Sequence, residues 1–318
     1  MQPKPNYLAF AAYACVSIAW GTTYAGIKYA VQMLPPLALA GVRFIIAGAV
    51  LMAVLRVTGI PLPSRRDWLR LAPVGCLLLC GANVLVSWSQ QHVDSVFAAL
   101  MVNSAPLIFT GLSALAGERV PRLAWGGLVV GFMGLFVIVW PDVREVLGGG
   151  HTAGETVRGP MFWWALGALV LSPVCWAGGS FLAKRYKAET HPLMTAAAQS
   201  LAGGVAAAIV CTLTGSWKLG PVTNEAVGAL VYLIVVGSWL GYVSYMYVVT
   251  TLPADVVGTT TYINTIVALL VGVVLLSEPV TPWMIAGGAV VLAGVAIVNY
   301  TMARGALLSR EAVRRQGS

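Results

Sequence analysis

A few polar side chains that could bind a small molecule lie inside long apolar segments of this 318-residue chain. They are Arg43, Asn83, Asn103 and Asn264. A guanidinium binds a carboxylate through paired hydrogen bonds, and an amide can bind the other polar end of the same molecule. These residue types predict a binding site for a small polar molecule. For Arg43 taken alone, we favour the alternative that its side chain ties helix ends together through backbone carbonyls.

Aromatic side chains in the same apolar segments could form the wall of such a site. We expect a cavity walled by Trp20, Trp88, Trp176, Trp239, Tyr242 and Tyr245. Packing in the core is the competing interpretation for each of these rings. A polar stretch from Thr259 to Thr265 is too dense for lipid contact, so we expect it to line the same pathway or to bond to a neighbouring helix.

Motifs for catalysis or nucleotide binding are missing from the sequence. The glycines at 148–150 are not part of a phosphate-binding loop, so we do not expect ATP to drive the protein. The three histidines lie in or beside predicted loops, and the five cysteines show no metal-ligand spacing. We therefore expect a protein that is not an enzyme and that needs no cofactor or metal.

The amino-acid composition indicates whether these residues lie in a water-soluble protein or in a membrane protein. Hydrophobic residues make up 58% of the chain and charged residues 9%, whereas soluble domains carry about 25% charged residues. So few charges cannot cover the surface of a water-soluble protein. The apolar runs are continuous, unlike the alternating strands of about ten residues in a membrane β-barrel. The chain is predicted to be an all-α membrane protein.

Ten segments are long enough to cross the hydrocarbon core, which takes about 20 helical residues. We place these predicted spans at 7–32, 35–57, 68–91, 95–116, 121–140, 160–184, 192–214, 225–250, 255–277 and 282–302. Helix breakers within three of the spans are expected to act as hinges during a conformational change. These residues are Pro106, Pro173, Gly203 and Gly204.

Positive charge outside the predicted spans is unevenly distributed. With the N-terminus in the cytoplasm, 14 Lys and Arg residues fall in cytoplasmic segments, and only Arg144, Arg158 and Lys218 fall outside. Because cytoplasmic loops collect positive charge, we expect both termini, including a basic tail at 304–318, on the cytoplasmic side of a bacterial inner membrane. This distribution explains the net charge of +8 without a nucleic-acid partner.

The first half of the sequence recurs in the second. The segment WGTTYAGIK from Trp20 to Lys28 matches WAGGSFLAK, which starts 156 positions later, and Gly117-Glu118 matches Ser277-Glu278 at a distance of 160 positions. Because a unit of five spans is odd, the second copy must enter the membrane from the opposite side. We expect two inverted five-helix repeats, 4–148 and 157–303, an architecture typical of secondary transporters with a binding site near the membrane midplane.

Four charged residues near the span ends are expected to have structural roles. Lys28 and its repeat equivalent Lys184 can extend to the nearer membrane interface. Glu118 and Glu278 each precede a proline that opens a predicted span, where a carboxylate favours the positive end of the helix dipole. We expect each glutamate to cap the helix that follows it.

Together these segments resemble the drug/metabolite transporter superfamily, in its ten-helix bacterial branch of paired EamA domains. The resemblance is carried by the W-G-x-x-aromatic segment at Trp20, the Pro36 to Phe44 run, the Ala-Leu-x-x-x-x-Pro stretch at 99–106 and the Gly117-Glu118 end. Within that branch, the chain is most similar to the YddG-type exporters of amino acids and related metabolites. The second copy departs from the pattern, with Gln199 in place of Arg43 and Ile266 in place of Pro106.

The resemblance implies a secondary transporter that exports small amphipathic metabolites, in particular neutral or aromatic amino acids, by alternating access. Its partners would be a small-molecule substrate and the lipid bilayer, and we expect a monomer rather than a dimer. All 11 acidic residues lie at span ends or in loops, so we expect a uniporter without proton coupling. Drugs, nucleobases and nucleotide sugars stay open as substrates, and a passive channel is the alternative from another class.

Overall fold

The computed structural model describes residues 7–118, 120–148, 159–186, 189–252, 256–257 and 259–316. In these residues, all regular secondary structure is helical. Within these ranges, nine helices are long and apolar enough to cross a membrane, and Thr260–Leu276 is a shorter apolar helix of 17 residues. The prediction of an all-α membrane protein is confirmed. The ends of the predicted repeats at 4–6 and 157–158, and of the tail at 317–318, lie outside the described residues.

The ten helices follow one another through short connections. In chain order they are α1 Tyr7–Met33, α2 Pro36–Val57, α3 Arg65–Ser89, α4 Ser95–Leu115, α5 Arg122–Gly148, α6 Pro160–Arg185, α7 Pro192–Leu213, α8 with its consecutive segments Asn224–Tyr232, Leu233–Leu240 and Gly241–Thr251, α9 Thr260–Leu276 and α10 Pro282–Gln316. Proline occupies the first turn of α2, α6 and α7, where its missing N–H costs nothing.

Three predicted span ends differ from the structure. Helix α5 continues past Pro141 to Gly148 instead of ending at 140, because an internal proline removes only its own N–H bond and does not always stop a helix. Helix α10 continues through the backbone of the predicted tail to Gln316, because the tail is rich in good helix formers although it is not apolar. Helix α9 begins at Thr260 rather than 255, and residues 253–255 and 258 lie outside the described residues.

Two helix pairs have extensive contacts, α5 with α10 and α2 with α7. Helix α1 packs against α8 and α9, and helix α6 packs against α3 and α4. The α5–α10 contact depends on glycine, since a Cβ built on Gly134 would lie 2.5 Å from the Val291 nitrogen and one on Gly294 would lie 2.4 Å from the Gly131 nitrogen. Glycine therefore lets these two backbones touch.

The residues predicted as hinges occupy different kinds of position. Pro106 lies in the first turn of the second half of α4, which begins at Ala105 after an interruption at Asn103 and Ser104, and Pro173 is buried within α6. Added Cβ atoms on Gly203 and Gly204 would lie 2.5 Å from backbone atoms of α3 and α2. The two glycines thus permit close helix packing in this structure, and all four hinge roles stay predictions.

We expect Gly294→Ala to destabilise the protein, because its methyl group meets the backbone of Gly131 and overpacking costs about 1–3 kcal/mol. Gly126→Ala is the matched control on α5, since nothing lies within 4 Å of an added Cβ there. Thermal unfolding of both variants in one detergent should show a lower melting temperature for Gly294→Ala only. Equal melting temperatures would contradict the close α5–α10 contact.

Candidate functional site

A cavity of about 410 Å³ lies between the helices, with residues of α1, α2, α3, α4, α6, α8, α9 and α10 in its lining. This volume is suited to a small molecule. Seven of the ten residues predicted to bind substrate line the cavity, and they come from both halves of the chain: Trp20, Arg43, Asn83, Asn103, Trp176, Tyr242 and Asn264. The structure therefore brings together residues that are up to 244 positions apart in sequence.

The other three predicted residues lie outside this lining. Trp88 packs on the hydrophobic core, with its ring 5.1 Å from that of His92. Trp239 donates its indole N–H to the carbonyl of Ala47, 2.9 Å away on α2. Tyr245 packs behind the cavity wall, with its ring 4.9 Å from the Trp20 ring. For these three, the structure shows the packing role that was the competing interpretation.

Arg43 is buried and is fixed by α8. Its Nε donates to the hydroxyl of Ser238 at 3.0 Å, and its guanidinium carbon lies 4.7 Å from the centre of the Phe44 ring. The hydrogen bond described for Arg43 therefore goes to a side chain of another helix rather than to the backbone carbonyls that we favoured. Because Nε is used in this bond, the terminal N–H groups are the ones suited to a ligand.

Short π-helical segments in α3 and α8 position two of the polar groups. At each segment, a side chain donates a hydrogen bond to a backbone carbonyl five residues earlier. Asn83 Nδ2 donates to Leu78 O at 2.9 Å, and Ser238 Oγ donates to Leu233 O at 3.1 Å. Such segments are frequent at functional sites. No sequence motif indicated them, so Ser238 was missed although it holds Arg43.

The cavity asparagines present oxygen rather than N–H groups. The Nδ2 groups of Asn83 and Asn103 donate to backbone carbonyls of their own helices, the latter to Ala99 O at 2.8 Å. Their Oδ1 atoms accept no hydrogen bond from the described residues, and neither does the buried Oδ1 of Asn264. Amide oxygens in this state are acceptors for an ammonium or another N–H donor.

The aromatic wall is centred on Trp20. Its ring meets that of Trp176 edge to face at 6.3 Å and that of Tyr242 at 6.1 Å, and its Nε1 donates to Gly237 O at 3.2 Å. Trp20 and Trp176 occupy equivalent positions in the two copies of the repeated sequence, so the two copies meet in the wall of the cavity.

Other cavity residues were not predicted individually. They include Tyr24, Phe44, Phe109, Ser172, Ser180 and Asn299. Only Asn299 carried a signal in the sequence, since it is polar within an otherwise apolar span. The rest are residue types that also pack in helix contacts. Of the polar stretch in α9, Thr261 and Asn264 line the cavity, whereas Thr259 bonds to the Tyr13 hydroxyl at 2.6 Å.

The four charged residues near the helix ends have partners other than those expected. Glu278 caps α4 rather than α10, because its carboxylate accepts from the N–H groups of Ser95 and Val96. Lys28 donates to backbone carbonyls in the connection between α3 and α4. Glu118 pairs with Lys184, and the hydrogen bond from this lysine lowers the pKa of the glutamate below its usual value.

Among the described residues that line the cavity, Arg43 is the only charged one. A bound molecule would thus meet one cation, several amide oxygens and an aromatic wall. This arrangement suits an amphipathic molecule with a carboxylate, an N–H donor and an apolar group. It offers no carboxylate that could act as an acid or base on such a molecule.

Comparison with known proteins identifies the chain. The model of the EamA-like transporter family matches residues 8–140 and 163–300. The chain belongs to this family. This confirms the resemblance to the drug/metabolite transporter superfamily and the prediction of a multi-pass membrane transporter, while the likeness to YddG-type exporters stays a prediction.

Two curated relatives are similar over most of their length. The inner membrane transporter YedA of Escherichia coli (strain K12) is 31% identical over 83% of this chain and 81% of its own. A protein of Streptantibioticus cattleyicolor, named "Probable terminal-alkyne amino-acid exporter", is 27% identical over 89% of this chain and 90% of its own. A crystal structure with 20% identity and a TM-score of 0.61 covers 93% of this chain and 97% of its own, and it shows the shared fold alone.

We expect Asn103→Cys and Asn264→Cys to react with a membrane-impermeant thiol reagent, because both positions line the cavity. The background should lack the five native cysteines. Ala268→Cys is the matched control one turn further along α9, since Ala268 is buried in the core. Labelling of the two asparagine positions only by lipid-soluble reagents would contradict a water-accessible cavity.

Proposed function

We propose that this family member is a secondary transporter that exports small amphipathic metabolites, in particular neutral and aromatic amino acids, across a bacterial inner membrane. It works by alternating access without ATP and as a uniporter. The observation that carries this proposal is the cavity itself, in whose described lining Arg43 is the single cation and is accompanied by asparagines and an aromatic wall.

A zwitterionic amino acid matches these groups one by one. Its carboxylate pairs with the terminal N–H groups of Arg43, which the bond to Ser238 leaves available. Its ammonium donates to the oxygens of Asn83, Asn103 or Asn264. Its side chain packs against Trp20 and the neighbouring rings. The name of the Streptantibioticus relative as an amino-acid exporter supports the same substrate class.

An inverted repeat with its two units at 4–148 and 157–303 is part of the proposal. The helix packing supports it. A twofold axis that places α1 on α6 and α3 on α8 would also place the α1–α8 contact on the α6–α3 contact, and both contacts are present. The same axis relates Trp20 to Trp176, which touch. The charge distribution supports cytoplasmic termini for this arrangement.

A monomer is the proposed functional unit. The glycines of α5 and α10 could have formed a dimer interface, but in the structure they pack against each other within one chain. This internal use of the small residues leaves them covered.

We expect Arg43→Gln to raise the KM for amino acids by about tenfold or more, since a charged hydrogen bond contributes about 1.5–3 kcal/mol. Arg56→Gln is the matched control, because Arg56 lies at the exposed end of the same helix. Counterflow of labelled phenylalanine and leucine into liposomes with the purified protein measures both. An unchanged KM in Arg43→Gln would contradict the proposed role, while counterflow of nucleobases, nucleotide sugars or drugs alone would contradict the substrate class.

We expect uptake into such liposomes to stop at equal concentrations and to ignore a pH gradient, because no carboxylate is found among the described cavity residues. Substrate concentration is held fixed and the membrane voltage is clamped. Accumulation above equilibrium that a protonophore abolishes would overturn the uniport mechanism. A flux that does not saturate with substrate would instead favour a channel.

A further inference from the structure

The two ends of the helix bundle carry equivalent pairs of charged residues. Lys28 and Glu278 lie at one end, which we call the first end, and their repeat equivalents Lys184 and Glu118 lie at the other, the second end. The backbone turn before each glutamate is also alike, because Gly117 has φ +82° and Ser277 has φ +53°. Ser277 is the only residue other than glycine with a positive φ among the described residues. A residue with a positive φ thus precedes the glutamate at both ends.

At the first end, both charges hold the N-terminal part of α4. Glu278 is 8% exposed, and it accepts from Ser95 N and Ser95 Oγ at 2.8 Å each and from Val96 N at 3.0 Å. Lys28 Nζ donates to the carbonyls of Gln90 at 2.9 Å and Val93 at 2.7 Å. The connection between α3 and α4 is therefore fixed to α1 by a lysine and to the α9–α10 turn by a carboxylate.

At the second end, the equivalent charges bind each other. Lys184 Nζ lies 2.7 Å and 2.8 Å from the two carboxylate oxygens of Glu118, and the side chains are 54% and 37% exposed, respectively. The ammonium also lies 5.9 Å from the centre of the Phe109 ring, which lines the cavity. An exposed ion pair thus lies beside the cavity at the second end, whereas at the first end the glutamate is buried and both charges bind the start of α4 and the connection before it.

We propose that these four residues form a reciprocal gate whose partners exchange during alternating access. At a closed end, the glutamate caps a helix and the lysine binds the preceding connection. At an open end, the same glutamate and lysine bind each other. In the opposite state, Glu118 accepts from the N–H groups of Val256 and Val257, and Glu278 pairs with Lys28. This inference rests on the transport cycle proposed above.

The sequence supports the choice of Val256 and Val257. Asp94 stands nine positions before Asn103, and Asp255 stands nine positions before Asn264. In this register of 161 positions, which is one more than the register that matches Glu118 to Glu278, the residues that Glu278 caps, Ser95 and Val96, correspond to Val256 and Val257. Because Val256 replaces Ser95, the cap at the second end has no hydroxyl donor. The state with the first end closed therefore has one more hydrogen bond.

The change of partners by the two glutamates should cost little free energy. An exposed ion pair contributes little to stability, so the bond between Lys184 and Glu118 is easily given up. A carboxylate at a helix N-terminus gains charge-assisted bonds from N–H groups that otherwise lack partners. Each glutamate thus has a partner in both states.

Hydrogen exchange measured by mass spectrometry on the purified full-length protein tests the gate without a substrate. In Glu278→Gln, amides at the start of α4 should exchange about tenfold faster or more, because charged bonds to Ser95 and Val96 are lost. Amides of the segment that starts at Val256 should exchange more slowly in the same variant. Faster exchange at α4 without a change at Val256 would overturn the proposal, since it would make Glu278 a static cap.

Two further variants keep the test decisive if Glu278→Gln does not fold. Val256→Ser adds the missing hydroxyl and removes no contact of the first end, so it should protect its own segment and raise exchange at the start of α4. Adding Glu118→Gln to Val256→Ser should abolish that reciprocal change, whereas adding Arg185→Gln, which removes a neighbouring exposed charge, should not. The absence of any reciprocal change in Val256→Ser would contradict the gate.

The outcome separates the gate from the proposed substrate. Reciprocal exchange in a protein that shows no amino-acid counterflow would support the gate and reject the substrate class. Amino-acid counterflow with independent exchange at the two ends would support the substrate class and reject the gate.

Discussion

A charge or backbone polar group at membrane depth must find a partner within the protein, and this constraint accounts for the geometry of the cavity. The π-helical segments of α3 and α8 leave the carbonyls of Leu78 and Leu233 to be satisfied by Asn83 and Ser238. The Ser238 hydroxyl also accepts from Arg43. The group that satisfies the α8 backbone therefore also positions the cation of the cavity, so the irregular helix and the candidate site depend on each other.

Close helix contacts and polar contacts are distributed over different parts of the structure. Glycines let α5 and α10 pack backbone to backbone, and they do the same where α7 meets α2 and α3. Most cavity residues and all four residues of the proposed gate lie on α1, α3, α4, α6, α8 and α9 or in their connections. Backbones in van der Waals contact have little freedom to move apart. Under the proposed function, the pairs α5–α10 and α2–α7 are thus suited to be the frame against which α1, α4, α6, α8 and α9 move.

The sequence was sufficient to predict the helices, because the thickness of the hydrocarbon core selects long apolar segments directly. It predicted seven of the cavity residues, since polar and aromatic residues at membrane depth are uncommon without a role. It did not distinguish these from Trp88, Trp239 and Tyr245, because a helix that is apolar on all sides does not indicate which face is inside. Nor did it reveal that Glu278 caps α4, because the residues it binds are more than 180 positions away and the adjacent helix start offered a simpler partner.

The two copies of the repeated sequence differ in their polar groups. Gln199 stands where the first copy has Arg43, and Val256 stands where it has Ser95. Under the proposed function, the first difference gives the cavity one cation and hence one orientation for a bound carboxylate. In the proposed gate, the second difference favours closure of the first end by one hydrogen bond. A zwitterion adds no net charge to the cavity, so the loaded and empty proteins carry the same charge through the cycle. Membrane voltage then does no work on the substrate, and the substrate gradient alone sets the direction of transport.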